Sequence, residues 1–267
     1  MNSILPGNRP AITALIYEGD IQKIKNEIKA VTEQGADIVG LMLEGYDVQC
    51  HSEKGMKTLI ESAQGKPIYI TDYLRGNINK NVTDEDIHDE LMLFLELSKG
   101  KSRVIADVRT DMYDPAIREI TLNEKAIEKQ IKFIKEIHDN GGKVLMSSHV
   151  FDEVLSAEDV IFIAKEQQRR GADIAKIVTV AKTEEDLFLN YEISLKLRKK
   201  LDIPYLFLCG GEFCYKHRRL SAPLGSCMVL ARENTLTGQI QPTVSEAIEV
   251  LKCLGYYNKS KDIKKKG

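Results

Sequence analysis

The chain has 267 residues, 43% of them hydrophobic and 29% charged, and its 38 basic residues against 40 acidic ones leave a net charge of −2. So near a balance gives no electrostatic footprint for non-specific nucleic-acid binding or for an anionic membrane surface. No run approaches the roughly 18–20 consecutive apolar residues of a membrane span, and the opening residues lack the basic-then-apolar order of a secretory leader, so a soluble cytoplasmic protein is expected. Cys50, Cys209, Cys214, Cys227 and Cys253 are odd in number, scattered and without a C-x-x-C pair, which reads as reduced thiols. Cys209 and Cys214 flank Gly210-Gly211, but no second pair completes four ligands, and no metal is expected.

Short apolar runs alternate with amphipathic stretches along the whole chain. The runs cover 11–17, 37–43, 67–71, 103–108, 143–148, 174–180, 204–209 and 226–230. They are near-continuously apolar, as parallel strands covered on both faces should be. The clearest helices are predicted at 20–34, 84–98, 122–140, 156–170 and 183–200; in the first, Ile21, Ile24, Ile28 and Val31 recur at helical steps. Thr83 and Thr183 precede acidic first turns, and Gly35, Gly141-Gly142 and Gly171 stop three helices ahead of the next strand. Three of these exits share a phrase, in which a helix-stopping glycine is followed within three residues by an apolar strand, as in Gly35-Ala36-Asp37-Ile38 and Gly171-Ala172-Asp173-Ile174.

Eight strands alternating with helices, with no linker and no G-x-G-x-x-G after the first strand, favour a single-domain α/β fold, a closed (β/α)8 TIM barrel over residues 1–257, above a doubly wound open sheet. The lysine-rich tail 258–267 is expected to fray.

In such a barrel the chemistry lies at the C-terminal ends of the strands. Lys176 sits inside the apolar run 174–180, where burial disfavours its charge and would leave a nucleophilic neutral amine. The bland alternative is a lysine paired with a carboxylate or snorkelling outward. His149 closes the fifth run and is a natural proton shuttle, although a lone histidine there is as readily structural. Neighbouring strands would bring both into one mouth. There, an imine on Lys176 would acidify the adjacent C–H for His149 to remove. His217-Arg218-Arg219, read as a loop after the seventh strand, could hold a carboxylate or phosphate.

The segment 144–151 containing His149, followed by 171–177 containing Lys176, resembles type I 3-dehydroquinate dehydratase. The likeness extends to Arg218-Arg219-Leu220, to Gly225-Ser226 and to Thr235-Leu236-Thr237-Gly238-Gln239-Ile240, similar to the family's S-R-L, F-G-S and S-A-P-G-Q-I. It implies a (β/α)8 enzyme, in that family a dimer, that dehydrates 3-dehydroquinate to 3-dehydroshikimate without metal or organic cofactor. Lys176 would form the Schiff base and His149 would move the proton. Arg218 would pair with the substrate carboxylate, with Gln239 and Thr235 in the loop over the site.

The sequence also departs from the family. Gly40-Leu41-Met42 stands where the family has E-W-R, which removes an acid and a base from the mouth. The arginine after the third strand falls on Tyr73, with Arg75 two residues on as a substitute; its acidic residue falls on Asn77; and D-x-E of the fourth strand becomes Asp107-Val108-Arg109. Arg75 and Arg109 are therefore the candidate replacements for the lost basic groups. Because unpaired buried polar groups can cost discrimination factors of ~10⁴, the same Schiff-base chemistry on another carboxylated β-hydroxy ketone, with Arg109, Glu44 or Tyr73 making new contacts, is the alternative reading. A barrel that only binds a carboxylate metabolite or a partner protein is a third.

Overall fold

The computed structural model describes residues 4–234 and 240–257. Its eight strands are β1 (Ala11–Ile16), β2 (Ile38–Met42), β3 (Ile68–Thr71), β4 (Val104–Arg109), β5 (Lys143–His149), β6 (Ile174–Val180), β7 (Tyr205–Gly210) and β8 (Met228–Ala231). They pair in parallel and in chain order from β1 to β7, and β8 returns to pair with β1. Between β7 and β8 the connection is thinner: Cys227 N donates to Tyr205 O (2.8 Å) and Phe207 N to Ser226 Oγ (3.3 Å). The strands and the expected runs agree to within two residues.

Helices clothe the barrel: α1 (Ile21–Gln34), α2 (Glu53–Ser62), α3 (Asp84–Ser98), α4 (Glu124–Asp139), α5 (Ala157–Arg170), α6 (Glu184–Lys200), α7 (Cys214–Leu220) and α8 (Val244–Cys253). Reciprocal caps fix several starts, Thr83 with Asp86 and Thr183 with Asp186. Gly35 and Gly171 end α1 and α5 at φ of 102° and 105°, a conformation that favours glycine. The shared phrase after them has a structural purpose. Asp37 accepts from Ile12 N and Asp173 from Val144 N, each at 2.8 Å, so each aspartate ties the entry of one strand to its neighbour.

Alternation along the strands divides the core. Leu15, Ile38, Tyr69, Ile105, Leu145, Ile174, Leu206 and Met228 fill the barrel, whereas the intervening residues face the helices. On β6, Ala175 and Ile177 pack outward beneath α5 and α6, which leaves Ile174, Lys176 and Val178 for the interior. On β5 the same rule turns Val144 and Met146 outward and puts Ser147 and His149 on the face of Leu145. Among the described residues no helix is long and apolar enough to cross a membrane.

Candidate active site

Lys176 Nζ lies deep in the barrel mouth and uses all three of its hydrogens, donating to Tyr69 Oη (3.0 Å), Tyr73 Oη (2.9 Å) and Asp107 Oδ2 (3.1 Å). Both phenols also donate to Asp107 Oδ2, that from Tyr73 at 2.7 Å, and Ser147 Oγ donates to Oδ1. Burial pushes the Asp107 carboxyl up, but Lys176, His149 and the hydroxyls of Ser147 and Tyr69 outweigh it and hold the group below the usual carboxylate range. The expectation of an amine isolated among apolar groups is therefore corrected. The apolar strand neighbours face the helix layer, and the amine itself sits among three oxygens.

His149 is placed on the same side. Its Nδ1 and its backbone N both lie 2.8 Å from Glu119 Oε2. The backbone N–H must donate to that oxygen, and an ionised Glu119 assigns the imidazole proton to Nδ1, leaving the lone pair on Nε2. Burial and then the charge of Lys176 hold the imidazole below its ordinary range, so at neutral pH it is a base. Its ring meets Tyr73 edge-on at 5.3 Å and Phe151 at 6.1 Å. Burial would raise Glu119 as well, but the bonds to His149 and the nearby Arg75 keep its carboxyl below the usual range.

Arg218 is buried on α7, a short helix where a loop was expected. Its Nε donates to Cys209 O (2.9 Å). The Gln241 amide, oriented so that both its groups are satisfied, accepts from Arg218 Nη1 (2.7 Å) and donates to Leu230 O (3.1 Å). Arg75 also lines the mouth, over the Phe151 ring at 4.8 Å and 3.5 Å from Glu119. Arg109 does not line it. Although strand alternation puts Arg109 on the face of Asp107, its guanidinium is bound to Asp111 (2.7 Å) and to Asp84 at the start of α3, so it braces the barrel against a helix. Thr235 and Gln239 lie outside the described residues.

The resulting cavity has a volume of about 300 Å³, the lower end of the range for small-molecule sites. Lys176, His149, Tyr69, Tyr73, Arg75, Arg218, Glu44 and Gln241 supply its polar wall, facing Leu15, Met42, Val178, Leu208 and Leu230. A Cβ at Gly40 would lie 2.6 Å from Leu15 Cδ2 and 3.1 Å from Ala14 O, so a side chain there would have to displace that of Leu15. The mouth is not without an acid, however. Glu44, on the 3-10 turn Leu43–Gly45 that follows β2, enters the cavity wall and accepts from Thr71 Oγ1 (2.9 Å). Burial raises its carboxyl to about 7.

Sequence reasoning gave no role to Asp107, Tyr69, Glu119 or Gln241. The parity of β3 and β4, counted from Lys176 through neighbouring strands, would have pointed to Tyr69 and Asp107. Nothing marked Glu119, which reaches His149 from the 3-10 turn Ile117–Glu119 with a φ of 48°.

Fold and site together define a (β/α)8 barrel with a lysine in the floor of its mouth and a histidine at its lip. A profile of the type I 3-dehydroquinase family matches residues 12–258. The 3-dehydroquinate dehydratase of Clostridium kluyveri is 24% identical over 252 residues, 93% of each chain, and that of Methanosarcina acetivorans is 25% identical over 92% of this chain and 95% of its own. In three dimensions, the 3-dehydroquinate dehydratase of Geobacillus kaustophilus superposes with a TM-score of 0.80 at 18% identity, covering 96% of this chain and 95% of that one. The type I enzyme of Clostridium difficile, solved with covalently modified comenic acid, gives 0.78 at 18% identity over 94% of both chains. The chain belongs to the type I 3-dehydroquinase family and is a hydro-lyase of that kind.

Proposed function

We propose that this chain dehydrates 3-dehydroquinate to 3-dehydroshikimate, a step of the shikimate pathway, through a Schiff base on Lys176. The observation that carries the reading is the pairing of two groups in one 300 Å³ mouth: a lysine saturated by polar partners and an imidazole whose Nε2 is left free by Glu119. The amine condenses with the substrate ketone and releases water. The protonated imine withdraws electrons and acidifies the neighbouring C–H, and His149 Nε2 takes that proton. The enamine then expels the β-hydroxyl, protonated by the same imidazole, and hydrolysis of the imine frees the product and Lys176. Arg218, fixed by Cys209 O and Gln241, meets the substrate carboxylate, and Arg75 at the rim adds positive charge. Thr235, Gln239 and homodimer formation belong to the proposal by resemblance alone, and a cytoplasmic location by the sequence pattern alone.

The test is reduction with borohydride in the presence of 3-dehydroquinate, which should leave a covalent adduct on Lys176. In the absence of reductant, conjugated-enone absorbance should rise, and it should vanish in Lys176→Ala. No adduct and no absorbance would refute the reading. One observation favours a second substrate: Leu15 lies against Gly40 where the resemblance expects an acid, and Tyr73 lines the cavity where it expects an arginine, so two polar contacts of the family are changed. Adduct formation with a different carboxylated β-hydroxy ketone, but not with 3-dehydroquinate, would decide for it.

A further inference from the structure

We propose that Tyr73 is a catalytic acid of imine formation, delivering to the carbinolamine hydroxyl the proton that Lys176 first surrenders to Asp107; the inference rests on the Schiff-base reading above. A lysine whose three hydrogens are all engaged, one of them with a carboxylate, cannot attack a carbonyl until a proton leaves it. The structure supplies both the acceptor and the return path. Lys176 Nζ is 3.1 Å from Asp107 Oδ2, that same oxygen is 2.7 Å from Tyr73 Oη, and Tyr73 Oη is 2.9 Å from Nζ, a closed triangle around the nitrogen that will carry the new bond.

The steps balance. The ammonium gives one proton to Asp107, leaving an amine and a carboxylic acid, a neutral pair that burial makes less costly relative to the ionic one. The amine nitrogen bonds to the carbonyl carbon, and transfer of one N–H proton to the oxygen yields the carbinolamine. As the C–O bond breaks, Tyr73 protonates the departing hydroxyl, which leaves as water, and Asp107 restores the proton to Tyr73 across their hydrogen bond. The sum is ammonium plus ketone giving protonated imine plus water, with Asp107 again a carboxylate and now the counter-ion of the iminium. No outside acid is consumed, and His149 remains available for the C–H step.

Tyr73 is distinguished from Tyr69 by position. Tyr69 lies within β3 among the barrel-filling side chains and is 1% exposed, whereas Tyr73 stands beyond the strand end, is 8% exposed and presents its ring to His149 at 5.3 Å. It therefore sits on the side from which a ketone must approach. Burial and the charge of Asp107 hold its phenol well above the ordinary range, so it persists as a hydroxyl at working pH.

The test follows adduct growth on Lys176 by mixing enzyme with 3-dehydroquinate, quenching with borohydride at timed intervals and weighing the protein. Tyr73→Phe should slow adduct formation by about 10²-fold, the usual scale for loss of a positioned acid. In folded Tyr73→Ala, added phenols should restore the rate in an order that follows their acidity, a response that a merely structural side chain would not give. Circular dichroism establishes that each variant is folded. A wild-type rate in Tyr73→Phe, or no response to any phenol in folded Tyr73→Ala, overturns the relay while the imine reading stands. Absence of an adduct in the unaltered enzyme, with 3-dehydroquinate and with other carboxylated β-hydroxy ketones alike, overturns both.

Discussion

The Lys176–Asp107 pair makes a strong demand on stability. At 3.1 Å and an effective dielectric of about 20, the attraction of two unit charges is roughly 5 kcal/mol. Most of it offsets the cost of burying both ions, since Asp107 is 2% exposed and Lys176 5%. Removing one partner strands the other. Asp107→Asn and Lys176→Met should each destabilise the fold by about 3–5 kcal/mol, and the double variant should cost far less than their sum, with a coupling of at least ~2 kcal/mol. Urea unfolding of the four proteins measures this as shifts of midpoint at constant slope. The sign of the pH dependence follows from Asp107. Its folded carboxyl is held below its unfolded value, so the stability it contributes is present at neutral pH and is lost as pH falls through the folded value. The gap between wild type and Asp107→Asn should narrow only in acid, below about pH 4. Costs that add within ~0.5 kcal/mol would show that the two groups do not depend on each other and would sink the argument.

Three further outcomes are expected. Arg109→Ala should lower stability by about 3–5 kcal/mol by stranding Asp84 and Asp111, with KM and the adduct on Lys176 preserved; a selective rise in KM would put Arg109 back in the substrate site. The acidic limb of kcat/KM should lie below pH 6.5, because burial and Lys176 depress His149, and Glu119→Gln should lower kcat by about 10²-fold or more while leaving adduct formation intact; a limb above pH 7 assigned to His149 would contradict the geometry. Burial brings Glu44 to about 7, so binding of a hydroxylated substrate should change with pH around neutrality and lose that dependence in Glu44→Gln, as read from KM across pH 5–9; an identical profile in the variant would remove Glu44 from recognition.

The barrel was legible because strands covered on both faces leave unbroken apolar runs, and because glycine stops and threonine caps mark the helix ends. Two of the helices absent from the sequence reading have little such pattern. The α7 helix is only seven residues long and four of them are Lys216-His217-Arg218-Arg219, while α2 carries Gly55 near its start. The proposed catalytic pair, Lys176 and His149, stood out since both residues interrupt strand sequences with chemistry that apolar neighbours do not explain, and the structure places both at one cavity. The partners could not, because they depend on register between strands or on a turn. Arg109 shows the limit most clearly: at the last position of β4 its alternation points toward the mouth, but a long side chain answers to whichever carboxylates the next loop provides, here Asp111 and Asp84.

The sparse junction between β7 and β8 gives Arg218 a second office. Through Cys209 O it grips β7, and through Gln241 it reaches Leu230 O on β8, so a side chain of the cavity wall forms a rung across the weakest joint of the cylinder. Occupancy and hoop strength then become one variable. A carboxylate that immobilises Arg218 tightens the cylinder at its mouth, and an empty site leaves that joint free to breathe. Amides at the C-terminal ends of β7 and β8 should therefore exchange with solvent more slowly when the site is filled, while those of β4 and β5, fastened by a full ladder, should exchange at the same rate in both states.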